Sequence, residues 1–261
     1  MFEYNIFVKK LWNLTGLLYL CRMTMTERIL EIIGHHPEGV SPGMIITSLP
    51  TGESFAGKSI YVILNRLTRE GKIKKENGLY SLSSPLKPFF VAIPGEADCE
   101  LFTGLKREMP FSRLCIWHTD SLIPLMHDIP NIKMTLVGAE KDAVSAAMGR
   151  LENMTDRLVL RDSDGDVLSR LAPGRDLVVV STLISQSPTV TVGDVTCPSI
   201  EKILVDILCD NALHAMTGSE SYAIYASAFD RYSIGRKALL RYAGRRNRKE
   251  EVETILNEIG K

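Results

Sequence analysis

The stretch SIYVILNRLTREGKIKKENGLYSL, residues 59 to 82, constrains the chain more than any other. Its apolar residues Ile60, Ile63, Leu64 and Leu67 recur at helical spacing, and after Gly71 the spacing changes to the alternation of strands. The short runs KIKK and LYSL are separated by Glu76, Asn77 and Gly78, and Asn-Gly is the strongest short hairpin signal. A helix with one apolar stripe needs partners to cover it, and they lie just upstream. TERILEIIGHHPEG puts Ile29, Ile32 and Ile33 on one helical face and is closed by Pro37 and Gly39. SPGMIITSLP then starts a short helix, with Ser41 as N-cap, Pro42 at the first helical position, and Met44, Ile45 and Leu49 as its apolar residues. Three helices followed by a hairpin, within about 60 residues, predict a winged helix-turn-helix over residues 26–83.

In that motif the second helix of the pair enters the major groove. At about 100° per residue, the inward stripe turns Lys58, Val62, Asn65, Arg66 and Arg69 outward. Arginine grips guanine with two hydrogen bonds, asparagine suits adenine, valine can touch a thymine methyl, and lysine holds phosphate as a point charge. Lys58 and Ser59 begin the helix, where backbone N–H groups and side chains can hold a phosphate. With Lys72, Lys74 and Lys75 of the hairpin, residues 58 to 75 carry six bases against the single acid Glu70, a local charge of +5. Double-stranded DNA is the expected partner. The competing reading is a protein-contact module whose charged outer face is simply solvated.

Residues 52 to 59, GESFAGKS, also satisfy the phosphate-loop pattern G-x-x-x-x-G-K-[ST]. A working phosphate loop joins a buried strand to a helix, and here the residues before Gly52 read as helix and turn. Nor does a later strand end in the aspartate that would help hold magnesium, since DLVVVSTLIS runs on into Ser181 and Thr182. No nucleotide or other cofactor is therefore expected.

The chain as a whole carries 31 basic and 31 acidic residues among 261, so any electrostatic footprint is local. Its apolar content of 45% is ample for a core. The cysteines at 21, 99, 115, 197 and 209 are odd in number and never fall in C-x-x-C, which points to reduced thiols and a cytoplasmic setting. Residues 1–25 carry a Lys pair and an apolar run. Asn13, Thr15 and Gly16 interrupt that run, and bulky Leu20 before Cys21 spoils a cleavage site. The segment reads as an upstream extension or accessory helix, with Met23 and Met25 as alternative starts, and no membrane partner is expected.

SSPLKP marks a linker at 84–88, and residues 89–261 form a second, mixed α/β domain, giving an α+β chain with a helical C-terminal part. RLCIWHT, IKMTLVG, DRLVLRD and DLVVVSTLIS read as strands, and EKDAVSAAMGRLENM as a helix between the second and third. From Pro198 the segments PSIEKILVDILCD, YAIYASAFDRY, GRKALLRYA and RKEEVETILNEIG read as helices. RDSDGDV resembles the start of a calcium loop, but its glycine comes one residue early and Pro173 sits where the bidentate Glu belongs, so it reads as a hairpin turn.

No metal site or catalytic residue is assigned. Cys115, His118 and His127 lack a fourth zinc ligand, and buried packing around Trp117 suits them better. The second domain contains no E-x-K triplet of the nuclease kind; the only one is Glu70-Gly71-Lys72. Glu201 and Asp206 lie five residues apart on one helix, roughly 140° around its axis, and do not converge as an acid and base. Glu201 instead complements the helix dipole. From Arg231 to Lys249 there are eight basic residues and no acid. Such a run is usually a solvated face, yet Arg241, Arg245, Arg246, Arg248 and Lys249 also suit phosphate or an acidic partner.

The winged-helix pattern together with FSRLCIWHTDSL, CPSIEKILVDILCD and LLRYAGRRNRKEEVE resembles the AbiEi-type antitoxin regulators over roughly residues 26 to 258. The string P-x-x-E-K-x-L-x-D, from Pro198 through Glu201 and Lys202 to Asp206, is similar to the P-E-R-x-L-x-D string common in that superfamily. The resemblance implies a regulator that represses its own operon, with a C-terminal domain that helps neutralise a nucleotidyltransferase-like toxin. The chain is thus expected to be a non-enzymatic, DNA-binding antitoxin. Two other readings stand beside it: a nucleic-acid-processing enzyme with a divergent nuclease-like or transferase-like domain, and a protein-interaction adaptor. A cognate toxin and a homo-oligomer stay open as partners.

Overall fold

A computed structural model describes residues 24–49, 57–83, 87–163, 165–217 and 220–260. The chain divides into two compact units, residues 1–87 and 88–261. Most of the stretch read as an N-terminal extension, most of the phosphate-loop-like segment, and residues 84–86 of the linker lie outside the described residues.

In the first unit, α1 (Met25–Gly34) starts on Thr24, whose hydroxyl accepts from the Glu27 amide while the Glu27 carboxylate accepts from the Thr24 amide. This reciprocal capping box fixes the start one residue before the sequence pattern places it. α2 (Pro42–Ser48) is capped by Ser41 with proline in its first turn, as the sequence predicts. A helix, not the strand that a phosphate loop follows, occupies residues 42–48 upstream of the GESFAGKS segment. α3 (Gly57–Arg69) buries Ile60, Leu64 and Leu67, each at most 2% exposed, against Ile29, Ile33 and Ile45. The hairpin β1 (Ile73–Glu76) and β2 (Leu79–Leu82) turns through Asn77 and Gly78 at φ of 51° and 81°. Positive φ at both central residues is what a two-residue turn of right-handed strands requires. Val40 and Tyr80 exchange both backbone hydrogen bonds, which joins the segment after α1 to the hairpin.

The second unit is built on a four-stranded sheet ordered β3-β4-β6-β5, from β3 (Leu114–His118), β4 (Lys133–Ala139), β5 (Leu158–Arg161) and β6 (Asp176–Thr182). β3 is antiparallel to β4, whereas β4, β6 and β5 run parallel. Alternation along the strands splits the unit into layers. On one face Thr135 accepts a place beside α4 (Glu96–Glu108), donating its hydroxyl to Asp98 at 2.7 Å, and α5 (Val144–Met154) packs beside α4. On the other face Trp117, Leu136, Leu177 and Val179 pack with Leu168 and Ala172 and with the helices that follow Pro198.

The segment RDSDGDV is where the sequence reading fails. β5 and β6 are parallel, so no hairpin joins them; the chain crosses back through α6 (Gly165–Leu171). A parallel pair cannot close through a tight turn, and its crossover is usually helical. A second hairpin, β7 (Thr189–Val192) with β8 (Val195–Pro198), then leads into α7 (Ile200–Ile207) and α8 (Asn211–Thr217). The last three helices are α9 (Ser221–Arg231), α10 (Arg236–Arg245) and α11 (Lys249–Ile259). No helix among the described residues is long and apolar enough to cross a membrane.

Candidate functional site

Two groups of candidate side chains stand out, one in each unit. In the first unit the buried stripe of α3 leaves Val62 67% exposed, with Asn65, Arg66 and Arg69 exposed beside it. Lys58 and Ser59 belong to the first turn of the helix, and their side chains lie outside the described residues. Arg66 donates to the Thr26 hydroxyl at 2.7 Å and its Nε stands 3.8 Å from Glu70, so one end of this guanidinium is anchored to α1. Lys72 approaches Glu70 at 2.9 Å, and its hydrogen bond, then its charge, holds the Glu70 carboxyl below the usual carboxylate range. Lys74 stands 3.3 Å from Glu76, and Lys75 lies 5.4 Å from the centre of the Tyr80 ring. The Asn65 and Arg69 side chains make no hydrogen bond or ion pair among the described residues. The seven residues of the sequence reading whose side chains are described therefore divide: Val62, Asn65 and Arg69 are open, while Arg66, Lys72, Lys74 and Lys75 contact their neighbours.

The second group forms around α7. Seven of its eight residues are buried, so Lys202 and Asp206, four apart, have no solvent-facing side to occupy. They pair with each other beneath the sheet. The Tyr242 hydroxyl donates to Asp206 at 2.8 Å, and Arg246 pairs with Asp210 and stands 3.8 Å from Asp206. Burial works against the charge of Lys202, yet the Asp206 carboxylate holds its amine above the ordinary lysine range. Burial first and then the charge of Asp206 push the Asp210 carboxyl up to about 7, outweighing the pull of Arg246 and Lys202. Burial also raises the Cys115 thiol, to about 12, and keeps it protonated in the core. Among the described residues no group of three His, Cys, Asp or Glu side chains is placed to hold a metal ion.

Above this network a cleft of about 310 Å3 opens at the carboxyl ends of β5 and β6, where Arg161, Asp162, Ser181, Thr182, Asp210 and Arg246 join Val180 and Cys209 in its lining. Asp162 Oδ1 accepts the Ala212 amide at 2.9 Å, and Asn211 donates its side-chain amide to the Asp162 carbonyl at 2.7 Å. These bonds fix the turn after β5, and burial raises the Asp162 carboxyl despite them.

The basic run at the C-terminus does not form one surface. Arg246, with its side chain only 14% exposed, turns into the network, while Arg241 is exposed and Arg245 donates to Ser185 at 3.0 Å. Arg248 pairs with Glu251 at 3.1 Å and Lys249 stands 3.8 Å from Glu253, both within α11. Glu201 does more than complement a dipole, since it accepts the Gly235 amide at 2.9 Å and ties the start of α7 to the start of α10. The string from Pro198 to Asp206 thereby acquires a physical meaning: Glu201 and the Lys202–Asp206 pair fasten α7 to α10. Reading the string as two carboxylates missed the Lys202 and Asp206 spacing, which was visible as an i, i+4 pair.

Comparison with curated proteins finds no match. A family model described as "Family of unknown function (DUF6577)" matches residues 59–261, from the first turn of α3 to the last residue, and the chain belongs to that family.

Proposed function

We propose that this protein is a DNA-binding transcriptional regulator whose α3 lies in the major groove while the β1–β2 hairpin rests on the phosphate backbone. The observation that carries the reading is the division of α3 into two faces: Ile60, Leu64 and Leu67 lock it to the core, and Val62, Asn65 and Arg69 stand open on the other side. A helix fixed along one stripe presents its outer residues at set positions, which base recognition requires. Arg66 anchored to Thr26 is preorganised for a phosphate, whereas open Arg69 suits a base edge.

The resemblance to AbiEi-type regulators supports the narrower reading, an antitoxin that represses its own operon and counters a nucleotidyltransferase-like toxin encoded beside it. The neighbouring reading frame is the first place to look for that partner.

The test is a gel shift of the full chain on the DNA upstream of its own gene. The wild type should retard this fragment at lower concentration than unrelated DNA. Arg69→Ala should cost about 1–3 kcal/mol and relax sequence preference, while Arg66→Ala should weaken all sequences alike. Unaltered binding by the double variant removes α3 as the reading helix and leaves the protein-contact reading.

A further inference from the structure

The cleft at the carboxyl ends of β5 and β6 carries a second assignment, independent of DNA binding. We infer that it binds a small zwitterion of amino-acid size, with the ammonium group against Asp162 and Asp210 and the carboxylate against Arg161 and the hydroxyl of Thr182.

The position is the first argument. In sheets of parallel strands, ligands bind in crevices beyond the carboxyl ends, because the connecting loops diverge there and leave space between them. Here the chain leaves β4 toward α5 on one face and leaves β5 toward α6 on the other, and the cleft opens beyond the carboxyl ends of β5 and β6. The second argument is rigidity. Lys202, Asp206, Tyr242, Arg246 and Asp210 form a floor linked by hydrogen bonds and ion pairs, so the cleft wall is preorganised rather than assembled around a ligand.

Charge and size then select the ligand. The wall contains two arginines and two aspartates, a balanced set. A nucleoside polyphosphate would bring its charge against both carboxylates, and an apolar ligand would strip water from all four ions without replacing it. A zwitterion meets both signs. Arg246 is already committed to Asp210 and Asp206, whereas Arg161 is exposed and pairs with no acid among the described residues. Asp162 pairs with no cation among the described residues, and Asp210 shares Arg246 with Asp206, so these two carboxylates of the cleft are short of positive charge. An ammonium group supplies it. A volume of about 310 Å3 is at the lower end of the roughly 300–1,000 Å3 usual for small-molecule sites, which fits an amino acid and excludes a dinucleotide.

The experiment is a thermal-shift screen of the full chain with each of the twenty standard amino acids at millimolar concentration. Glucose, ATP, MgCl2 and MnCl2 are run in parallel, and hits are followed by calorimetric titration. At least one amino acid should raise the unfolding temperature. Arg161→Ala and Asp162→Asn should each weaken its binding by about tenfold or more, the loss of one charge-assisted hydrogen bond. Asparagine keeps the acceptor that Ala212 uses, so the unliganded unfolding temperature should hold in both variants. The assignment is overturned if no amino acid shifts the transition, if only the sugar, the nucleotide or a metal does, or if both variants bind as the wild type does. DNA retention is scored separately, so either proposal can fail alone.

Discussion

α3 and α7 are built from the same kinds of residue and dispose of them in opposite ways. α3 carries one apolar stripe, and its arginines stand in water or on a neighbouring helix. α7 is buried nearly all round, and its lysine and aspartate are buried with it. How much of a helix its neighbours cover, rather than the number of charges, decides whether a charge must be buried and paired. The consequences also reverse. Exposed cations add little to folding and remain available to a polyanion, while buried ones fix a unique packing and are costly to disturb singly.

That contrast can be broken most visibly at Lys202. Lys202→Met strands a buried carboxylate, and its cost should reach about 3–5 kcal/mol in chemical denaturation. The double change to Met at 202 and Leu at Asp206 should recover part of this loss, because apolar residues replace a matched pair without leaving a lone ion. A single-variant cost below about 1 kcal/mol would mean that the α7 network is solvated like α3.

A smaller effect is expected in the pH dependence of stability, from Asp210. Its folded carboxyl titrates near 7, above the unfolded value of about 3.9, so the native state binds the extra proton between those limits. Stability should therefore fall as pH rises from about 4 to about 7, with no further contribution from this group above that. Asp210→Asn should flatten this part of the profile, as followed by urea midpoints at several pH values. An unchanged slope would show that Arg246 keeps the carboxylate ionised throughout.

Much of this architecture was legible in the sequence where the signal is local. The Asn77-Gly78 turn, the Ser41 cap, the stripe of α3 and the four sheet strands each depend on residues within a turn or two. α6 was not legible, because RDSDGDV carries turn residues and only the parallel pairing of β5 with β6, a tertiary fact, demands a crossover. The hairpin β7–β8 had a signal in the alternation TVTV and VTCP around Gly193, obscured by the apolar run before it. α4 offers Leu101, Phe102 and Leu105 at helical spacing, but Gly95 caps it without a side chain to mark the start. The cleft could not be read at all. Asp162, Asp210 and Arg246 come from three distant segments, and the basic run gave no sign that Arg246 alone would turn inward.

The smallest stability effect belongs to the residue with the largest proposed role in recognition. Arg69→Ala should leave unfolding within about 0.5 kcal/mol of wild type, as expected for an exposed side chain without partners. The most direct test of the account is the affinity of the full chain for its upstream duplex, measured by fluorescence anisotropy across a salt series. Log affinity should fall linearly with log salt at a slope of about −0.9 per phosphate neutralised, and Arg69→Ala should lower the affinity at every salt concentration. Binding that is absent, or indifferent to both salt and Arg69, would contradict the assignment of α3 to DNA.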